Sequence, residues 1–132
     1  KAAYDYLEAE MGATKIGVIG WCLGGKWSLK TALMLPEDID ATVIYYGSLT
    51  DDKDKLATLD MPIIGFVGTK DRLHKEFIVF DENMKELGKD SSVYIYEGAK
   101  HAFANASGTV YEPVAAEDSW SKTTKFLKKY LH

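Results

Sequence analysis

Cysteine is nearly absent from this sequence, with Cys22 the only one among 132 residues. A lone thiol cannot form a disulfide within the chain, and a free thiol is typical of a reducing compartment. The chain also lacks an apolar run near the roughly 20 residues that cross a bilayer. Its first ten residues contain acidic side chains where a signal peptide would have a basic and then an apolar region. We therefore expect a cytoplasmic protein with no membrane partner.

Clustered positive charge is missing as well. The 16 Lys and Arg residues are outnumbered by 20 Asp and Glu, for a net charge of -4, and they are scattered rather than aligned in a stripe that could follow phosphates. This distribution argues against a nucleic-acid partner. Asp51, Asp52 and Asp54 lie close together but lack EF-hand spacing, so a solvated helix start is the better interpretation. We expect no metal site and no cofactor.

The sequence does contain a regular alternation of strand and helix patterns. Four short, apolar, β-branched segments bounded by Gly, Pro, Asp or Ser predict strands covered on both faces, over residues 15–20, 41–46, 63–67 and 92–96. Helical patterns occupy the first ten residues and residues 24–35, 51–59 (with Thr50 as N-cap), 76–87 and 113–131. The alternation predicts an α/β fold, with a mainly parallel sheet of about four strands and helices on both faces. Since 46% of the residues are apolar, one core can form, and residues 1–132 are predicted to be a single domain.

The segment 20–24 reads Gly-Trp-Cys-Leu-Gly, which has the form of a nucleophile elbow between a strand and a helix. At such a sharp turn, strand and helix approach so closely that the residues two before and two after the nucleophile, Gly20 and Gly24, should lack side chains. The turn places the sulfur of Cys22 at a helix N-terminus, which favours a thiolate, and the N–H of Leu23 would face a developing oxyanion. The alternative is a buried thiol that packs as a small apolar group.

Two further candidates follow later strands. Asp71 lies just past the third predicted strand and His101 just past the fourth, and ligands bind beyond the carboxyl ends of parallel strands. The order nucleophile, acid, histidine is that of α/β-hydrolases. Either residue could instead be an ordinary loop residue. Trp21, beside the nucleophile, and Tyr46, at the end of the second strand, are predicted to contact a substrate, with core packing as the alternative.

These motifs resemble the dienelactone hydrolase family. The resemblance is carried by GWCLGG at the elbow, Tyr45-Tyr46-Gly47, Gly68-Thr69-Lys70-Asp71, Gly98-Ala99-Lys100-His101-Ala102-Phe103 and the closing segment 111–127. It implies a cysteine hydrolase that opens small-molecule esters or lactones through an acyl-thiol intermediate. In that family, the residues matching Cys22, His101 and Asp71 are nucleophile, base and the carboxylate that orients the base.

The resemblance also predicts differences from the family. Members have a longer N-terminal part, which holds half of the sheet and supplies a second oxyanion donor, whereas this chain begins at Lys1 close to the elbow strand. We therefore expect a truncated α/β-hydrolase fold in which the apolar strand from Ile16 to Ile19 is a bare edge, able to pair with a second copy or a partner segment. The alternative function is a catalytically weak or inactive half-domain. Ala102 and Asn105 replace a serine and an arginine that hold the carboxylate of dienelactone, which argues against that substrate.

Overall fold

A computed structural model describes residues 1–132 and contains one parallel four-stranded sheet. Its strands are β1 (Gly17–Trp21), β2 (Ala41–Tyr45), β3 (Ile63–Gly68) and β4 (Ser91–Tyr96), and they lie side by side in chain order. In register, Gly17 lies opposite Ala41, and Ile63 opposite both Thr42 and Ser91. The helices are α1 (Ala2–Ala9), α2 (Leu23–Met34), α3 (Lys53–Leu56), α4 (His74–Glu86) and α5 (Pro113–Leu131). None of them combines the length and apolarity needed to cross a membrane.

Two apolar layers cover the two faces of the sheet, because side chains along a strand alternate between faces. One layer packs the even-numbered side of β2, including Ile44, against α2, α3 and α4, with Phe77 and Phe80 of α4 fully buried. The other packs Val43 and Tyr45 against α5 and the loop that precedes it. The Tyr45 hydroxyl and the Thr123 Oγ1 of α5 are 2.8 Å apart and share a hydrogen bond. The prediction of an α/β sheet with helices on both faces is confirmed.

Two local predictions differ from the structure. The strand predicted from Lys15 begins at Gly17, because the Ile16 N–H donates to the Asp40 Oδ2 at 2.7 Å rather than joining the sheet ladder. The N-cap of α3 is Asp52, not Thr50: the Asp52 carboxylate accepts from two N–H groups of the first turn, whereas the Thr50 hydroxyl accepts only from the Asp52 N–H. Aspartate is among the most favourable N-cap residues, so α3 is capped by Asp52, two residues after the predicted cap.

The two edges of the sheet are formed by β1 and β4. The strand β4 was predicted to be covered on both faces, yet none of its residues is fully buried, and Ile95 is among the exposed apolar side chains. Along β1, the Ile16 carbonyl and the Cys22 N–H both bond to the β2 side. The alternating residues Gly17, Ile19 and Trp21 therefore direct their N–H and C=O groups to the open side, as the bare-edge prediction requires.

Candidate active site

Cys22 occupies a strained turn between β1 and α2. Its φ of 57° and ψ of -122° lie outside the regions that non-glycine residues normally adopt, and such strain is typical of functional sites. A β-carbon on Gly20 would lie 2.1 Å from the Gly24 carbonyl oxygen, so glycine is required there as predicted. The prediction for Gly24 is wrong, since a β-carbon on it would meet nothing within 4 Å. The second tight position is Gly25, whose β-carbon would lie 2.7 Å from the Tyr45 carbonyl oxygen.

The three candidate catalytic side chains meet at one rim of the sheet. The Sγ of Cys22 is 2.7 Å from the Nε2 of His101, and the Nδ1 of His101 is 2.7 Å from the Oδ2 of Asp71. The other oxygen of Asp71 accepts the N–H of Leu73 at 2.8 Å. The Asp71 side chain is completely buried and the imidazole is 37% exposed. With Nδ1–H donating to the carboxylate, Nε2 is free to exchange a proton with the sulfur.

Backbone contacts fix the two loops that carry Asp71 and His101. The N–H of Lys70 donates to the Ala99 carbonyl at 3.0 Å, and the N–H of Gly98 donates to the Thr69 hydroxyl at 2.8 Å. The loops are so close that a β-carbon on Gly68 would lie 2.0 Å from the Ala99 carbonyl oxygen. The two loops that carry the acid and the imidazole are therefore held together by their main chains and by the Thr69 hydroxyl.

Leu23 begins α2, directly after the nucleophile. As the first residue of a helix, it has no intrahelical acceptor for its N–H, and the partial positive charge of the helix start faces the same region as the sulfur. Its own side chain is 66% exposed and fills no part of the core. The backbone at this position can therefore donate to a negatively charged oxygen on a carbon attached to Cys22.

Trp21 and Tyr46 line, together with Cys22, a depression of about 330 Å³. The Trp21 ring stacks on Tyr45 at 5.2 Å between centroids and remains 40% exposed. Tyr46 is buried, has a φ of 34°, and its ring meets that of His101 edge-on at 5.2 Å. Burial, and to a lesser extent the charge of the Cys22 thiolate, raises the pKa of Tyr46, so this phenol stays protonated. The role of both residues in binding a substrate stays a prediction.

The rest of that depression is formed by the loop after His101, where the family resemblance had singled out Ala102 and Asn105 as substrate positions but not Ala104. Ala102, Ala104 and Asn105 complete its wall. Phe103 between them is fully buried and anchors the loop in the core, and Ala102 has a φ of 70°. The signal in the sequence was the small residues flanking a single phenylalanine directly after the histidine. No three His, Cys, Asp or Glu side chains are grouped in a way that could hold a metal ion.

Comparison with known proteins finds relatives that are longer than this chain. The sequence is 35% identical to the protein usf of Aquifex pyrophilus over 136 residues, covering 99% of this chain and 59% of that one. It is 29% identical to a carboxymethylenebutenolidase of Rhodococcus opacus, covering 87% of this chain and 50% of that one. The chain thus spans between half and three fifths of the length of these relatives.

Solved structures share the fold. A dienelactone hydrolase-like promiscuous phosphotriesterase from metagenomic libraries superimposes with a TM-score of 0.84 at 22% identity, covering 99% of this chain and 59% of that one. A dienelactone hydrolase of Anabaena variabilis gives a TM-score of 0.77 at 22% identity, covering 98% and 57%. The sequence itself matches the dienelactone hydrolase family over residues 1–131. On the strength of that match, with the elbow and the fold already described, the chain belongs to the dienelactone hydrolase family.

Proposed function

We propose that this chain carries the catalytic centre of a hydrolase of carboxylic esters or lactones, in which Cys22 is the nucleophile. The observation that carries the proposal is the continuous hydrogen-bonded series from Cys22 through His101 to the buried Asp71, with 2.7 Å at each step. A nucleophile, a base within reach of it and a third group that orients the base form the general arrangement for covalent catalysis. Membership of the family supports the same reaction class.

The first half of the reaction forms an acyl-thiol. The His101 Nε2 takes the proton of the Cys22 thiol, and the resulting thiolate attacks the carbonyl carbon, whose oxygen becomes an oxyanion that accepts the Leu23 N–H. As the tetrahedral intermediate collapses, the bond from carbon to the leaving oxygen breaks and His101 gives that oxygen a proton. Asp71 keeps the proton of His101 on Nδ1 in the resting state and stabilises the imidazolium that precedes this transfer.

The second half releases the acid. His101, now neutral, takes a proton from a water molecule, and the resulting hydroxide attacks the carbonyl carbon of the acyl-thiol. The carbon–sulfur bond breaks, the thiolate is regenerated and the carboxylic acid leaves. The partly exposed imidazole allows this water to approach.

Leu23 supplies the one backbone oxyanion donor identified in this site, and a missing donor typically costs about 10²–10³ in rate. This cost falls on acylation and deacylation alike, and with an activated ester, whose leaving group departs readily, deacylation should be the slower step.

The second candidate function is a half-domain that retains the triad without turnover and completes its sheet with a second copy or a partner segment. The observation that favours it is the open edge of β1. The two candidates differ in one measurable respect, because the enzyme deacylates and the half-domain does not.

The test uses p-nitrophenyl acetate, with nitrophenol release followed over time and the intact mass of the protein measured. We expect one acetyl group per chain, followed by slow continued release. Cys22→Ala should abolish the acetylation, His101→Ala should reduce it to the rate of an unassisted thiol, and Asp71→Asn should slow it by up to about 10⁴. His132→Ala, a histidine outside the site, is the matched control and should react normally. Acetylation that persists in His101→Ala at the rate of the unaltered chain would overturn the proposal, whereas one acetylation without turnover would favour the half-domain.

A further inference from the structure

A second depression lies beside the one that contains Cys22. It encloses about 290 Å³, and Trp21 and Ala104 line both depressions. Tyr111 and Trp120 of α5 also line it, and Trp120 is 52% exposed. Most of the lining is apolar, so a chemical group bound to Cys22 could extend along Trp21 into this space without losing contact with the protein.

The only charged side chain in the wall of this depression is negative. Glu117, one helical turn before the exposed Trp120 ring, is the one charged side chain that lines it. Neither depression is lined by Lys, Arg or His. An acyl chain that ends in a carboxylate would therefore meet one like charge and no cation in the lining of the second depression, and such a juxtaposition is repulsive.

The positions of the triad residues and of the Leu23 N–H determine which part of a bound ester would lie in the second depression. The leaving oxygen must be within reach of the His101 Nε2, because that nitrogen protonates it. The oxyanion must point to the Leu23 N–H at the start of α2. Of the groups on the tetrahedral carbon, the acyl substituent is the one left to point elsewhere, and the second depression, which shares Trp21 and Ala104 with the first, is a space that it could enter.

We propose that this depression is the acyl subsite and that it takes uncharged apolar or aromatic acyl groups, an inference that rests on the function proposed above. Its volume exceeds the roughly 150 Å³ of an apolar cavity that holds benzene. The rings of Trp21, Tyr111 and Trp120 provide aromatic surface against which a phenyl group can stack. The exposed Trp120 on the amphipathic helix α5 also gains a function as a wall of this subsite.

The test compares acylation rates of Cys22 by the p-nitrophenyl esters of acetate, phenylacetate and succinate, each divided by the rate of the same ester with a small free thiol. We expect phenylacetyl to exceed acetyl by at least about tenfold and succinyl to fall below it. Trp120→Ala should bring the phenylacetyl to acetyl ratio near one. Glu117→Gln should raise the succinyl rate relative to acetyl. Trp27→Ala, an equally exposed tryptophan on α2, is the matched control and should leave both ratios unchanged.

The outcomes separate this inference from the proposed function. Failure of all three esters to acylate Cys22 would mean that the hydrolase proposal itself is wrong. Normal acetylation with equal phenylacetyl and acetyl rates would overturn the subsite alone. A preference for phenylacetyl that survives Trp120→Ala would also overturn it, because the preference would then come from another surface.

Discussion

At the nucleophile turn, two adjacent glycines have very different surroundings. A β-carbon on Gly25 would be 2.7 Å from a backbone oxygen of β2, whereas one on Gly24 would be in open space. We expect Gly25→Ala to lower the free energy of unfolding by about 1–3 kcal/mol, the usual cost of overpacking. Gly24→Ala should be neutral or stabilising by up to about 1 kcal/mol, since alanine loses less entropy in a helix. Urea unfolding of the two variants measures both values.

A larger loss of stability for Gly24→Ala than for Gly25→Ala would contradict this ranking. The sequence motif alone suggested the opposite ranking, because it counts symmetrically from the nucleophile. In the helix that follows, successive residues are about 100° apart, so the facing position depends on the helix start. Here residue 25, and not 24, meets Tyr45 and Gly47.

The candidate catalytic residues could be placed from sequence, but the surroundings of the site could not. Cys22, Asp71 and His101 each follow a strand, so a parallel sheet brings them together without further information. Trp120 is far from Cys22 along the chain and lines the neighbouring depression because α5 packs across β2 and β3. The sequence pattern of residues 113–131 predicts an amphipathic helix but does not indicate which loop this helix would face.

Among the elements, β4 and α5 are joined by a polar contact that responds to pH. The Tyr96 hydroxyl donates to the Asp118 Oδ2 at 2.7 Å. Burial, together with this hydrogen bond to the carboxylate, raises the pKa of Tyr96. The unfolded chain therefore loses the phenol proton at a lower pH than the folded protein does. The contribution of this tyrosine to stability is complete below pH 10, the ordinary pKa of tyrosine, and falls above it.

We therefore expect the free energy of unfolding to decline as the pH rises above about 10, and less steeply in Tyr96→Phe. Phenylalanine keeps the ring but cannot ionise. Denaturant unfolding at several pH values across this range provides the measurement, with Tyr6→Phe as the matched control because Tyr6 is exposed on α1. Identical slopes for the unaltered chain and Tyr96→Phe would mean that this contact does not couple to pH.

The ends and the burial of the strands and helices depend on contacts with other segments, which the sequence pattern of a single segment does not contain. The strands of the centre, β2 and β3, are fully buried and agree with their apolar runs. The pattern of β4 is just as apolar, yet the strand lies at an edge, because nothing in a single segment tells how many neighbours it will have. The short helix α3 starts at Asp52 because that carboxylate accepts two N–H groups.

At the scale of the whole molecule, the two edge strands of the sheet differ in how well they are protected against pairing with another chain. Beside β4, the Lys122 ammonium lies 5.0 Å from the centre of the Tyr94 ring, and a lysine near an edge discourages pairing with another chain. The residues of β1 are all uncharged, and Ile19 and Trp21 are exposed. We propose that two copies of the chain pair through their β1 edges.

We expect a dimer at high micromolar concentration, measured by sedimentation velocity. Ile19→Lys should shift the population to monomer, because it puts a charge on the pairing strand. Ile95→Lys places the same change on β4 and is the matched control, so it should leave the dimer intact. A single monomeric species across the concentration range for the unaltered chain would refute pairing through β1.

The direction of β1 has a consequence for such a dimer. All four strands point the same way, and Cys22 follows the carboxyl end of β1. A two-fold axis would pair the two copies of β1 antiparallel and join eight strands into one sheet. The two sulfurs would then lie at opposite rims of that sheet, too far apart for an interchain disulfide. Each reactive centre would have to work independently, facing solvent on opposite sides of the assembly.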